Sequence, residues 1–318
     1  MKRGMAIRVV LGVAWVTGMA CAPDALEPSG TGPTSVGSGI DTGADTDDPD
    51  TTAGPATADG STSADGSTSA DGSTSANGST SADDSTGEPP PLGLDDVGSL
   101  VILGDSIGDG GGQGPYYYER LRSDLDAFYG GIQYVNRAQS GSTTGALTGQ
   151  VSGLPAQLPG PVVVVITSGG NDMKDHIFEI VLMADGPAKA AVAANVDAAL
   201  ADLLAPGRFG PGVDVHVFEG NIYDASDGVG DYGMQDCAFG NGWPTIPSDP
   251  FFDRWNDAIR EAVEARDQAA VDMHGYFYGH GYHASPSWYA SDCTHPNALG
   301  HDELHGLFFE RITGQAPP

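Results

Sequence analysis

Two stretches of this chain are apolar without interruption, and they constrain the fold more than any other feature. One is "LVILGDS" from Leu100, the other "PVVVVITSGG" over Pro161–Gly170. A strand with one wet face alternates apolar and polar residues. An unbroken, β-branched run therefore predicts a strand covered on both faces. Helical patterns lie between and after these runs. "YYYERLRSDLDAFY" sets Leu121, Leu125 and Phe128 at helical spacing, and "GPAKAAVAANVDAALADLLA" is helical by its alanine and leucine content. "IQYVNRA" and "VDVHVFEG" read as further strands, and "PFFDRWNDAIREAVEARDQAAVDM" as a helix running into a short strand near Ala269–Met273. "HPNALGHDELHGLFFERIT" closes the domain as a helix with Pro296 near its start. Strand–helix alternation predicts an α/β fold: a parallel sheet with helices on both faces. Residues 222–250 fit no element and are expected as a surface excursion over the sheet edge.

Much of the first third of the 318 residues is not expected to be domain material. Residues 22–92 contain 13 Asp and Glu, no Lys or Arg, and a six-residue repeat, "ADGSTS", three times from Ala58 to Ser75. The repeat has only alanine methyls to bury, so it predicts a disordered, charge-extended linker. Residues 1–20 carry Lys2, Arg3 and Arg8 before a short apolar stretch, the pattern of a signal peptide. Cys21 follows Gly18-Met19-Ala20, which resembles a bacterial lipobox with Gly18 in place of the usual Leu or Val. That resemblance implies a lipoprotein acylated at Cys21, and Ala22 after the cysteine implies outer-membrane retention. The alternative is an ordinary secretory peptide. Residues 93–318 remain, enough for one sizeable core. Their net charge is about −20, which repels phosphate backbones and argues against a nucleic-acid partner. Cys237 and Cys293 form an even pair in an exported chain, so a disulfide is expected.

In open parallel sheets, ligands bind beyond the carboxyl ends of the strands. Gly104-Asp105-Ser106 follows the first strand. "NRAQSGSTT", with Asn136 and Gly141, follows the second, and Gly169-Gly170-Asn171-Asp172 the third. "SDCTHPN", with Asp292 and His295, comes late in the chain. A serine hydroxyl becomes a useful nucleophile when a base takes its proton, and histidine suits that role. An aspartate three residues earlier orients the imidazole, and backbone N–H groups with an amide side chain stabilise an oxyanion.

These four blocks resemble the SGNH, or GDSL, hydrolase superfamily, with "GDSI" in place of "GDSL" and Asp109 where a leucine-like residue is usual. The resemblance runs from about residue 98 to 312. It implies a flavodoxin-like three-layer α/β/α sandwich with a central parallel sheet and a site that needs no metal or cofactor. It makes Ser106 the nucleophile, His295 the base and Asp292 its partner. Ser106 N–H, Gly141 N–H and the Asn171 side chain form the oxyanion hole. The activity implied is a serine esterase acting on lipid or short-chain acyl esters. The alternatives are a carbohydrate O-acetylesterase and a non-catalytic surface-binding module. The partners implied are an ester substrate, as lipid or acylated glycan, and a membrane reached only through the N-terminal anchor.

Other residues have blander readings. Asp105 is expected to brace its loop. Gly110–Gly112 and their neighbours are expected to leave the site entrance open; "GDGGGQGP" fits neither a dinucleotide fingerprint nor a phosphate loop. Asp272, His274, His280 and His283 are expected in the pocket wall with Tyr276, Phe277 and Tyr278 rather than on a metal. His301 with His305, and Asp224, Asp227 and Asp231, are weaker metal candidates, expected to be structural. A wide apolar cleft would indicate long acyl chains. A shallow polar one bearing Trp243, Trp288 and Tyr289 would indicate sugars.

Overall fold

A computed structural model describes residues 93–235, 237 and 244–318. The expected signal peptide, Cys21 and the repeat linker lie outside the described residues. Five strands form one parallel sheet: β1 (Ser99–Gly104), β2 (Gln133–Asn136), β3 (Val162–Thr167), β4 (Val215–Gly220) and β5 (Ala269–Val271), in the order β2-β1-β3-β4-β5. Every residue of β1 and β3 is buried, and the unbroken apolar runs follow from this. Successive side chains of a strand point to opposite faces, and both faces are covered here. Val101, Leu103, Val164 and Ile166 face one helical layer; Leu100, Ile102, Val163 and Val165 face the other.

The first layer consists of α2 (Leu147–Ser152), α5 (Gly186–Leu203) and α6 (Asp249–Glu264). It packs Val151, Val196, Leu200, Trp255 and Ile259 against the sheet. The second contains α1 (Tyr117–Tyr129), α7 (Met273–Phe277) and α8 (Ala298–Thr313), with Leu121, Leu125, Phe277, Leu304 and Phe308 inward. Phe128, the third member of the expected stripe of α1, is 41% exposed and lies edge-on to Phe309. The start of α8 is set by Asn297, whose side chain accepts the N–H groups of Leu299 and Gly300. Pro296 precedes that cap. Two short helices, α3 (Gly170–Asp175) and α4 (Ile177–Val181), follow β3 where the sequence shows no long helical period.

The expectation for residues 222–250 needs correction. The segment is not only an excursion over the sheet edge. Ile222, Tyr223, Ala225, Gly230, Tyr232, Ile246 and Ser248 line a cleft beside Ser106. Asp224 organises it, accepting from Ser226 N–H and hydroxyl, Gly228 N–H, Tyr232 hydroxyl and Ser248 hydroxyl. Asp227 accepts Gly279 and Gly281 N–H, and Asp231 contacts Tyr282, His283 and Gln235. These carboxylates are engaged by protein donors. Cys237 and Cys293 are joined in a disulfide that ties this segment to the loop carrying Asp292 and His295.

Candidate active site

Ser106 sits two residues beyond the carboxyl end of β1, and the segments after the other strands are hydrogen-bonded around it. Gln150 of α2 accepts Gly104 N–H and donates to Gly104 carbonyl, both at 2.8 Å. Ser142 hydroxyl donates to the same carbonyl at 2.9 Å. Asp172 of α3 accepts Thr144 N–H and hydroxyl at 2.8 Å each. Asp109 holds Ser140 through its N–H at 2.8 Å and its hydroxyl at 2.9 Å, next to Gly141.

The late loop completes the site. Ser106 Oγ lies 2.8 Å from His295 Nε2, and His295 Nδ1 lies 2.6 Å from Asp292 Oδ2. The other oxygen of Asp292 accepts the N–H groups of Thr294 and His295, each at 3.0 Å. Burial works to raise the pKa of Asp292. The hydrogen bonds from His295 and Thr294 outweigh it, and the carboxyl is held below its ordinary value. An ionised Asp292 keeps the imidazole proton on Nδ1, leaving the Nε2 lone pair facing the serine hydroxyl. This arrangement can remove the serine proton as the oxygen attacks an electrophilic carbon.

Gly141 and Asn171 line the same cleft as Ser106. Asn171 Nδ2 donates to Ser142 carbonyl at 2.9 Å, which orients the amide and leaves its second N–H for a ligand. Among the described residues, Ser106 N–H and Gly141 N–H have no hydrogen-bond acceptor. Asp105 braces its loop by accepting Ile107 N–H at 3.0 Å. Burial raises its pKa to about 7, against the opposing effect of that hydrogen bond. Glu219, on β4, is fully buried and has no hydrogen-bond partner among the described residues. Burial first, and Asp105 second, push its pKa well above the ordinary carboxylate range.

The glycines after Ser106 do not hold an entrance open. A Cβ on Gly111 would stand 2.4 Å from His295 Cδ2, and one on Gly112, at φ +97°, 2.0 Å from Pro296 carbonyl. The loop is glycine because it packs directly against His295 and Pro296. His301 fixes it from behind, donating from Nε2 to Gly111 carbonyl at 2.9 Å while Nδ1 accepts Tyr117 N–H at 3.4 Å. The role of His301 in holding this loop was not legible in the sequence.

The remaining candidates separate. His305 pairs with Asp124 at 2.8 Å, away from the partners of His301. Asp272 caps α7 and accepts from Asn221. His274 stacks on Phe252, His280 stacks on Trp288, and His283 meets Asp231. None of these four, nor Tyr276, Phe277 or Tyr278, lines the cleft, so their expected place in the pocket wall is corrected; Met273 alone of this stretch reaches it. Among the described residues no three His, Cys, Asp or Glu are placed to hold a metal ion.

The cleft has a volume of about 670 Å³. Ser106, Asn171 and His295 line it. Ile107, Met173, Ile177, Ile180, Ile222, Phe251 and Phe252 make up much of the rest. Trp288 and Tyr289 are buried elsewhere, and Trp243 lies outside the described residues.

A parallel α/β/α sandwich with a serine–histidine–aspartate hydrogen-bond chain at the strand ends is the architecture of a hydrolase. The chain belongs to the GDSL-like lipase/acylhydrolase family, whose family model matches residues 102–303. It is accordingly an ester hydrolase. Among solved structures it is similar to the lipase Lip_vut3 from a goat rumen metagenome, with 18% identity over 67% of this chain and 97% of that one and a TM-score of 0.50. It is also similar to LAE5, an alpha/beta hydrolase enzyme from the metagenome of Lake Arreo, Spain (25% identity, 69% and 96% covered, TM-score 0.47). A third is Axe2, an acetylxylan esterase from Geobacillus stearothermophilus (20%, 68% and 96%, TM-score 0.47). No curated protein matches the sequence.

Proposed function

We propose that this chain is an exported serine esterase that prefers esters of medium or long acyl chains. One observation carries the reading: the Asp292–His295–Ser106 hydrogen-bond chain opens into a cleft of about 670 Å³ with mainly apolar walls. Such a cleft gains free energy from each methylene it removes from water, roughly 0.8 kcal/mol apiece. A sugar ring would meet few polar partners on those walls.

In the proposed reaction Ser106 Oγ attacks the ester carbonyl carbon while His295 Nε2 takes the hydroxyl proton. The carbonyl oxygen gains negative charge and is received by Ser106 N–H, Gly141 N–H and Asn171 Nδ2. The C–O bond to the alcohol breaks, and His295 returns its proton to the departing oxygen. Water then attacks the acyl-serine, its proton passing to His295, and the acid leaves as Ser106 regains its hydrogen. Asp292 holds the imidazole tautomer throughout. Export through residues 1–20 and acylation of Cys21 belong to the same proposal. The Cys237–Cys293 disulfide supports an oxidising compartment.

The test is hydrolysis of p-nitrophenyl acetate, butyrate and octanoate by the full chain beside Ser106→Ala. The expected result is a kcat/KM rising with chain length and a loss of about 10³-fold or more in the variant. An undiminished variant contradicts the serine mechanism. Acetate hydrolysis with none of octanoate contradicts the acyl-chain preference.

A further inference from the structure

The α4 segment presents an apolar surface to solvent that the catalytic chemistry does not use. Ile180 anchors it in the core. Phe178, Val181 and Leu182 fall on one face by their i, i+3 and i+4 spacing. Phe178 is 75% exposed, Leu182 76% and the following Met183 69%. Singly exposed apolar side chains are ordinary; a contiguous group of them marks a contact surface. This group is also held in place. Arg254 donates to Ile180 carbonyl, to Asp185 and to Met183 Sδ, and Ala184 N–H donates to Glu179 carbonyl. The backbone of the turn is therefore pinned from below.

Phe178 and Val181 also line the cleft that leads to Ser106. The outer patch and the cleft wall are one continuous apolar surface. An occupant of the patch covers the cleft mouth. A protein partner would close it, whereas a lipid surface would supply the acyl chain that the cleft accepts. The stretch Ile177–Met183 contains no Trp, Tyr or Arg, the side chains that dominate protein–protein hot spots. Charge narrows the surface further. Residues 93–318 carry a net charge of about −20, which opposes an anionic bilayer. The two lysines of this region, Lys174 and Lys189, flank α4 in sequence, and Lys174 lies on the cleft wall. No helix among the described residues is long and apolar enough to cross a membrane.

We propose that Phe178–Met183 docks the enzyme on the surface of an aggregated zwitterionic phospholipid, with its acyl chains delivered along the same apolar wall into the cleft. The proposal rests on the esterase reading for its kinetic test but not for its binding test. The kinetic test follows hydrolysis of diheptanoyl phosphatidylcholine by the full chain below and above its aggregation threshold, for the wild type and for Leu182→Asp. Leu182 is exposed and does not line the cleft, so the fold and the monomer rate are expected to persist. Burial of one leucine-sized side chain is worth about ten-fold in affinity. The wild-type rate is therefore expected to jump at the threshold, and the variant to lose about ten-fold of the aggregate rate while its monomer rate stays within about two-fold. An equal jump in both proteins overturns the proposal, as does no jump in the wild type. The binding test uses Cys21→Ser/Ser106→Ala protein with an environment-sensitive dye on Leu182→Cys, mixed with phosphatidylcholine vesicles. A blue shift at position 182, absent from a dye on Glu261→Cys of α6, supports docking even if no ester is turned over. No shift at 182 overturns it, and so does a shift only with an added protein fraction, which would indicate a protein partner.

Discussion

The two sides of the cleft are built on opposite principles. On the side of Ser106, polar groups are tied to polar groups. Gln150 clamps Gly104, Asp172 clamps Thr144, Asp292 holds His295, and His301 holds the glycine loop against it. On the side of α4 the directional bonds hold the backbone, and the surface turned to the cleft is largely apolar, part of it standing in water. In the proposed reaction the first side must place atoms to within tenths of an ångström, because proton transfer and oxyanion binding depend on distance and angle. The second, on the proposed reading, accepts acyl chains of varying length, for which area matters more than angle. Substitutions on the polar side are therefore expected to abolish turnover, and those on the apolar side to change which substrate is turned over.

The largest expected effect is on the polar side. His295→Ala removes the base and should lower kcat/KM by about 10⁴-fold, measured on p-nitrophenyl butyrate. A loss below about ten-fold would break the contrast. The next concerns the acid buried under Ser106. Asp105 has a pKa raised to about 7 by burial. The unfolded chain ionises first, so this group's contribution is most favourable below about pH 4 and is lost as pH rises toward 7, by about 4 kcal/mol at the limit. Asp292, held low, acts in the opposite sense. Urea unfolding at pH 4, 5.5 and 7 should show Asp105→Asn gaining on the wild type as pH rises; parallel curves would remove the buried-charge argument. Breaking the disulfide with Cys237→Ser/Cys293→Ser opens a link of 56 residues in sequence. It should cost roughly 2–4 kcal/mol by the same denaturant measurement. Gly111→Ala drives a methyl into His295 and should lower kcat by about 100-fold with little change in KM. The smallest effect tests the apolar side. Ile177→Trp narrows the cleft and should lower the ratio of octanoate to acetate kcat/KM by about ten-fold. A fall in both substrates by the same factor would mean that Ile177 supports the polar side instead.

The polar side was the more legible in the sequence. Ser106 and Asn171 fall just after the apolar runs that become β1 and β3, and a strand end is a place that hydrophobic patterning locates well. Asp292 and His295 are close in sequence and hydrogen bond directly. The apolar side was obscured for physical reasons. Helices of five or six residues, such as α3 and α4, are too short to display a period. The described residues between Ile222 and Ser248 carry no long period, because Asp224, Asp227 and Asp231 hold them by bonds to turns and to distant loops. A long irregular segment in a compact domain is often functional, and that rule was the one available signal. The purpose of Gly111 is likewise set by His295, a neighbour only in space.

The central claim is that Ser106 is a nucleophile activated by His295, and covalent trapping tests it most directly. The full chain would be treated with a p-nitrophenyl alkylphosphonate and its mass and peptide map recorded beside those of His295→Ala. The account predicts one phosphonyl group per chain, located on Ser106, formed far more slowly in the variant. No adduct, an adduct on another residue, or an equal rate without His295 would contradict it.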